Sequence, residues 1–290
     1  MALANRRLLR FRLSFALGCF ALISPLPAIE LHTERVSPQD LEIRGKLAGV
    51  PAGESRFVRW SELRSLPASS LTLPRAFGLV APQLTVLFLS DLWAALPRSP
   101  TADTLLAICQ DGYASVYPRD FITAYSPFLV LEINGIGPAG WPPPGVKNNF
   151  GPYVISIAAE VVPAVAQLLD GAHKRPWGAV TLEIATLAER FADAYRGKWA
   201  DISPRATLGR ELWINSCASC HRGPGNVFGG TKSDRPFEVL VAHAAYNAEY
   251  FRHYVRDPKS KLPGATMEPH PHYTDEQLAA LIAFITAEPK

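Results

Sequence analysis

The stretch from Ser203 to His221, SPRATLGRELWINSCASCH, decides how the C-terminal third of this chain folds. It closes on Cys217-Ala218-Ser219-Cys220-His221, a C-x-x-C-H run. Two thiols at that spacing can each form a thioether to one vinyl group of the same porphyrin, while the next residue sets an imidazole under the iron. The pattern is that of c-type haem attachment. A structural zinc site would need about four ligands, and although His243, His253, His270 and His272 follow, no further cysteine does. A thioredoxin-like dithiol would open a helix after a strand, whereas this motif ends one.

Working outward, Ser203 to Ser216 reads as a helix that places Gly209, Trp213 and Cys217 on one face, with the glycine allowing another helix to come close. The last segment, Thr274 to Ala287, opens on a capping box of Thr274 and Gln277 and then lines Leu278, Leu281, Ile282 and Ile285 along one stripe. Ordinary packing helices share that pattern. For the sixth iron ligand a count is informative: the two methionines are Met1 and Met267. Met267 lies in the proline-bracketed run Pro263-Gly264-Ala265-Thr266-Met267-Glu268-Pro269, ahead of the final helix. A lone methionine also serves as core filling, and His270 or His272 would then give a bis-histidine iron.

With these residues in view, positions 205–290 resemble a class I mono-haem cytochrome c, carrying G-x-x-x-W-x-x-x-C-x-x-C-H, a loop proline at Pro224, a P-x-x-x-M loop and a C-terminal helix. The resemblance implies an all-α domain, thioether links at Cys217 and Cys220, and axial ligation by His221 and Met267. It also implies a hydrogen bond from the ring of His221 to the carbonyl of Pro224.

The chain opens with a different signal. Residues 1–12 carry only positive charge, residues 13–23 form an apolar run, and Ser24 to Ala28 (SPLPA) end it. This is the form of an export signal over residues 1–28, and about 11 apolar residues are too few for the ~20 of a membrane-spanning helix. An uncleaved anchor, lipidation at Cys19 and twin-arginine export through Arg6-Arg7 are the competing readings. Four of the 29 basic residues fall in this leader, so the rest of the chain is close to neutral and has no general attraction for nucleic acid. With 290 residues, 48% of them hydrophobic and 19% charged, the chain has material for two cored domains and is neither disordered nor a disulfide miniprotein.

Residues 36–190 mix strand-like runs, Leu41 to Leu47, Thr104 to Cys109, Phe128 to Ile133 and Val180 to Ile184, with short helices that Ser61 and Ser90 are placed to cap. Residues 191–204 read as a linker. The front region resembles the oxidoreductase molybdopterin-binding domain of the sulfite oxidase superfamily. The likeness rests on Trp60-Ser61-Glu62-Leu63, Leu89-Ser90-Asp91-Leu92, Asp111-Gly112-Tyr113, Asn134-Gly135 and Gly151-Pro152-Tyr153. In catalytic members a cysteine binds molybdenum ahead of the segment that here reads Val86 to Leu92, yet Leu66 to Val86 holds no cysteine. Cys109 lies on a later strand, where a buried thiol is the simpler reading and a molybdenum ligand the alternative. Before the cytochrome-like region the histidines are His32 and His173, the latter beside Lys174 and Arg175 on what reads as a solvated turn; Tyr113 and Tyr117 read as packing residues.

The expected class is therefore α+β, a mixed sulfite-oxidase-like domain without molybdopterin followed by an all-α cytochrome domain. The expected function is electron transfer in the periplasm by one covalent haem c, with a periplasmic redox protein or respiratory complex as partner, the front domain as docking scaffold and no catalytic residue. After signal cleavage the chain is expected to be no integral membrane protein. A molybdenum-dependent, sulfite-dehydrogenase-like oxidoreductase with internal electron transfer is the alternative, and haem-based sensing or peroxidase chemistry a third.

Overall fold

The computed structural model describes residues 29–148, 150–288 and 290, so the expected export signal over residues 1–28 lies outside the described residues. The chain is mixed α+β, with sheets in its N-terminal part and helices in its C-terminal part. The strands are β1 (Leu41–Gly45), β2 (Ser55–Val58), β3 (Ser69–Thr72), β4 (Arg75–Ala76), β5 (Leu79–Val80), β6 (Gln83–Phe88), β7 (Thr104–Cys109), β8 (Ala114–Pro118), β9 (Phe128–Ile133), β10 (Val154–Ser156) and β11 (Ala179–Ala185). They form a five-stranded sheet in the order β2-β1-β11-β7-β8, a four-stranded sheet in the order β10-β9-β6-β3, and the hairpin β4-β5. Only the β1–β11 pairing in the five-stranded sheet is parallel.

The apolar runs are continuous because both of their faces are covered. In β7, Leu105, Ala107 and Cys109 enter a core shared with Leu129 and Leu131 of β9, while Leu106 points the other way, into the core of the helices. Phe128 and Val130 of β9 enter a third core with Trp141 and Phe150. Alternation along a strand thus distributes one sequence run between two cores.

The helices are α1 (Trp60–Ser65), α2 (Leu89–Ala95), α3 (Arg119–Tyr125), α4 (Leu187–Arg190), α5 (Pro204–Asn215), α6 (Phe237–Tyr246), α7 (Ala248–Arg256), α8 (Pro258–Lys261) and α9 (Asp275–Ile285). Ser61 and Ser90 do not cap: α1 and α2 begin at Trp60 and Leu89, which puts the cap positions two residues earlier, at Arg59 and Phe88. Glu62 explains the first shift, since its carboxylate accepts the amide of Arg59 at 2.9 Å. For the second, the amide of Leu89 already pairs with the carbonyl of Pro127 at 2.8 Å.

Helices α5 and α9 lie against each other. Ser203 caps α5 by accepting the amide of Ala206 at 3.1 Å, and Pro204 fills the first helical position. Thr274 and Gln277 close the expected capping box on α9 at 3.2 and 2.9 Å. A Cβ on Gly209 would stand 1.9 Å from the carbonyl oxygen of Ala280, so only glycine permits this approach. Trp213 packs edge-on to Phe237 at 5.3 Å and beside Phe284 at 6.1 Å, both buried. Each such ring contributes about 1.5–3 kcal/mol by leaving water. Residues 191–204, expected as a linker, send Phe191, Ala194 and Ile202 into the same core, together with Leu106, Val116 and Ala185 from the five-stranded sheet.

Candidate functional site

The end of α5 sets the C-x-x-C-H motif. After Asn215 the chain tightens into a 3₁₀ turn over Cys217–Ser219, and the amides of Cys220 and His221 both bond the carbonyl of Cys217, at 3.2 and 2.9 Å. Ala218 and Ser219 point inward and are buried, which leaves the thiols of Cys217 and Cys220 and the ring of His221 half-buried. Burial pushes the Cys220 thiol up to about 11 and raises that of Cys217 as well. A redox dithiol needs the opposite shift. The His221 imidazole is held down to about 4, by burial first and the charge of His270 second, so it is neutral at pH 7, as an iron ligand must be.

Three buried polar atoms on this segment have no hydrogen-bond partner: Nε1 of Trp213, Oγ of Ser216 and Nδ1 of His221. Leaving such groups unpaired costs about 1–3 kcal/mol each. Two half-buried thiols, a neutral imidazole and three unpaired polar atoms within nine residues fit a covalently held haem. The bond expected from His221 to Pro224 is not made. Instead the loop folds on Phe228, whose carbonyl accepts the amide of Gly223 at 3.0 Å, and the buried Pro224 begins a 3₁₀ turn, Pro224–Asn226. A Cβ on Gly223 would lie 2.1 Å from the Phe228 ring, so that tight loop requires glycine.

Met267 is half-buried and packs against the same helical core as Cys217. His270 and His272 are engaged elsewhere. Nδ1 of His270 lies 3.2 Å and Nε2 of His272 2.8 Å from Oδ1 of Asp170, and Tyr273 donates its phenol to Oδ2 of the same carboxylate.

The front region covers the motif from the other side. At the β7–β8 turn the carbonyl of Gly112 accepts the amide of Thr231 at 2.8 Å, and Lys232 pairs with Asp111 at 2.9 Å. Four rings continue the contact: Tyr113 stacks on His173, His173 on His270 at 5.2 Å, and His270 on Tyr273 at 5.0 Å. His173 and Lys174 are buried, contrary to the solvated turn expected of them. The reason is that β8 reaches for their backbone: Ser115 donates to the carbonyl of His173, Tyr117 to that of Lys174 at 3.0 Å, and the Lys174 ammonium returns a bond to the carbonyl of Val116 at 2.8 Å. Asp170, His173, His270 and His272 form one wall of an open groove of about 1080 Å³ between the front region and the C-terminal helices.

Cys109 ends β7, 4% exposed, and burial pushes its thiol up to about 12. It is a protonated, small apolar residue of the core between the sheets. Asp170 was not visible from the sequence, because a lone aspartate before a glycine carries no sign of partners a hundred residues later.

Residues 204–285 match the family model described as cytochrome C oxidase, cbb3-type, subunit III. They form a cytochrome c-type domain. The chain is also similar to a cytochrome c oxidase subunit 2 of Alkalihalophilus pseudofirmus, 32% identical over 87 residues, which cover 28% of this chain and 25% of that protein. It thus spans about a quarter of the length of that curated relative. Among solved structures, the sulfane dehydrogenase SoxCD from Paracoccus pantotrophus aligns over 55% of this chain and 43% of its own, at 15% identity and a TM-score of 0.34. That score is too low to carry a fold assignment. No helix among the described residues is long and apolar enough to cross a membrane.

Proposed function

We propose that this chain is an exported mono-haem electron carrier. Cys217 and Cys220 tether one haem c, His221 and Met267 complete its axial positions, and single electrons pass between periplasmic redox partners such as a respiratory complex. The observation that carries this reading is the C-x-x-C-H turn itself, with its half-buried thiols and neutral imidazole lying against the core that also holds Met267. When bound, the haem supplies one-electron ferric–ferrous chemistry, at a potential that methionine ligation and burial raise. The protein's part is to hold and shield it. The 3₁₀ turn fixes both thiols, Trp213, Ser216 and His221 offer polar atoms that nothing else satisfies, and the α5–α9 core excludes water.

The front region serves in this reading as a docking scaffold of sulfite-oxidase type without molybdopterin. Its one thiol among the described residues, Cys109, stays protonated inside a core and is a poor metal ligand. The competing reading, a molybdenum oxidoreductase feeding electrons to the haem, needs a metal beside that strand. Elemental analysis of the exported, haem-loaded chain separates the two: one iron and no molybdenum supports the carrier, whereas one iron with about one molybdenum makes it an enzyme.

A further inference from the structure

We propose that Asp170, His270 and His272 form a second metal site, for one divalent transition ion of the Zn²⁺ or Cu²⁺ class, that staples the front region to the cytochrome domain. This rests on the proposed reading in one respect, that Met267 rather than His270 or His272 is the sixth iron ligand, and the test reads haem ligation separately from metal binding.

The first argument is distance. Ligand atoms bound at about 2.0–2.2 Å to one tetrahedral or octahedral ion lie roughly 2.8–3.6 Å from one another. Oδ1 of Asp170 is 3.2 Å from Nδ1 of His270 and 2.8 Å from Nε2 of His272, and all three atoms lie within 4.8 Å of one another. Two imidazoles and a carboxylate, with no thiolate, suit a borderline divalent ion over Cu⁺ or Ca²⁺.

The second is orientation by neighbours, which metal ligands depend on. Tyr273 holds the other oxygen of Asp170, and the His270 ring is fixed between the parallel rings of His173 and Tyr273.

The third is access. His270 is buried, but the side chain of His272 is 42% exposed, and all three residues line the groove, through which an ion can enter and water can complete its coordination. Each ring must present an unprotonated nitrogen to the ion, so the protons that face Asp170 are displaced to the water of the groove on binding. Without the ion the same atoms satisfy one another by hydrogen bonds.

The test uses the untagged, haem-loaded full chain, cleared with a chelator and titrated with Zn²⁺ by calorimetry, with Cu²⁺ and electron paramagnetic resonance as a second probe. The expected result is one saturable equivalent with imidazole nitrogen coupling on copper. His272→Ala, at an exposed position, weakens binding at least tenfold while leaving the haem spectrum unchanged, and Asp170→Asn does the same. A melting temperature raised by zinc in the wild type and not in His272→Ala supports the staple. Absence of saturable binding, or equal affinity in both variants and wild type, overturns the proposal and leaves the three residues a hydrogen-bonded clamp. Haem counted in the same samples reports on the carrier reading independently.

Discussion

Gly209 of α5 meets Ala280 of α9 so closely that a Cβ at 209 would lie 1.9 Å from the Ala280 carbonyl oxygen and 2.9 Å from Cβ of Phe284. Backbone, not a movable side chain, occupies that space. Gly209→Val therefore forces the two helices apart and opens the core around Trp213. We expect a loss of about 3 kcal/mol or more, seen as a lower melting temperature together with a lower yield of haem-loaded protein. An unchanged melting temperature would show that the two helices are not packed in this way.

Met267→Ala separates the tether from the sixth ligand. The variant should keep one covalent haem, because Cys217 and Cys220 are untouched, but lose the long-wavelength band of methionine-ligated ferric haem, show a lower reduction potential and bind carbon monoxide readily when reduced. Retention of that band would assign the ligand elsewhere and Met267 to core packing.

Gly112 ties the two halves together. It has a φ of +81°, and a Cβ there would stand 2.2 Å from Oγ1 of Thr231. Gly112→Ala combines backbone strain with a clash, so a loss of about 1–3 kcal/mol is expected in urea unfolding. Lys232→Ala removes an ion pair that is half exposed on both sides and a cation contact 5.7 Å from the Tyr113 ring, and should cost about 1 kcal/mol or less. Equal effects of the two substitutions would contradict the close contact at Gly112.

Lys174 predicts a pH dependence. Burial holds its pKa down to about 8, against an opposing pull from Asp170, below the ordinary value of 10.5. Its ammonium bonds the carbonyl of Val116 and sits 5.1 Å from the ring of Phe121. Between pH 8 and 10.5 the unfolded chain binds more protons at this group than the folded one, so its contribution to stability rises with pH across that window and is least favourable below it. Lys174→Met should flatten that rise. Parallel stability curves for the two proteins would show that Lys174 is not held in this way.

What the sequence revealed was whatever is encoded locally. The Thr274–Gln277 box depends on residues within a few positions and forms as expected, and the C-x-x-C-H motif follows directly on the end of α5, as its reading at the end of a helix implied. The runs in β7 and β9 were legible because two-sided burial leaves them apolar throughout. Ser61 and Ser90 misled because Glu62 and the carbonyl of Pro127, rather than the serines, satisfy the first amides there. His173 and Lys174 read as solvated from their charge alone, but residues of β8 more than fifty positions earlier draw their backbone inward. Asp170 was invisible for the same reason, since its partners His270, His272 and Tyr273 are brought to it only by the packing of the two halves.

The most direct test of the central claim is the intact mass of the denatured chain after export from a host that matures c-type cytochromes. The account predicts a mass greater by one haem, retained under denaturation because two thioethers hold it, and lost in the Cys217→Ala, Cys220→Ala double variant. A mass equal to that of the polypeptide alone, from a host shown to load another c-type cytochrome, would contradict it.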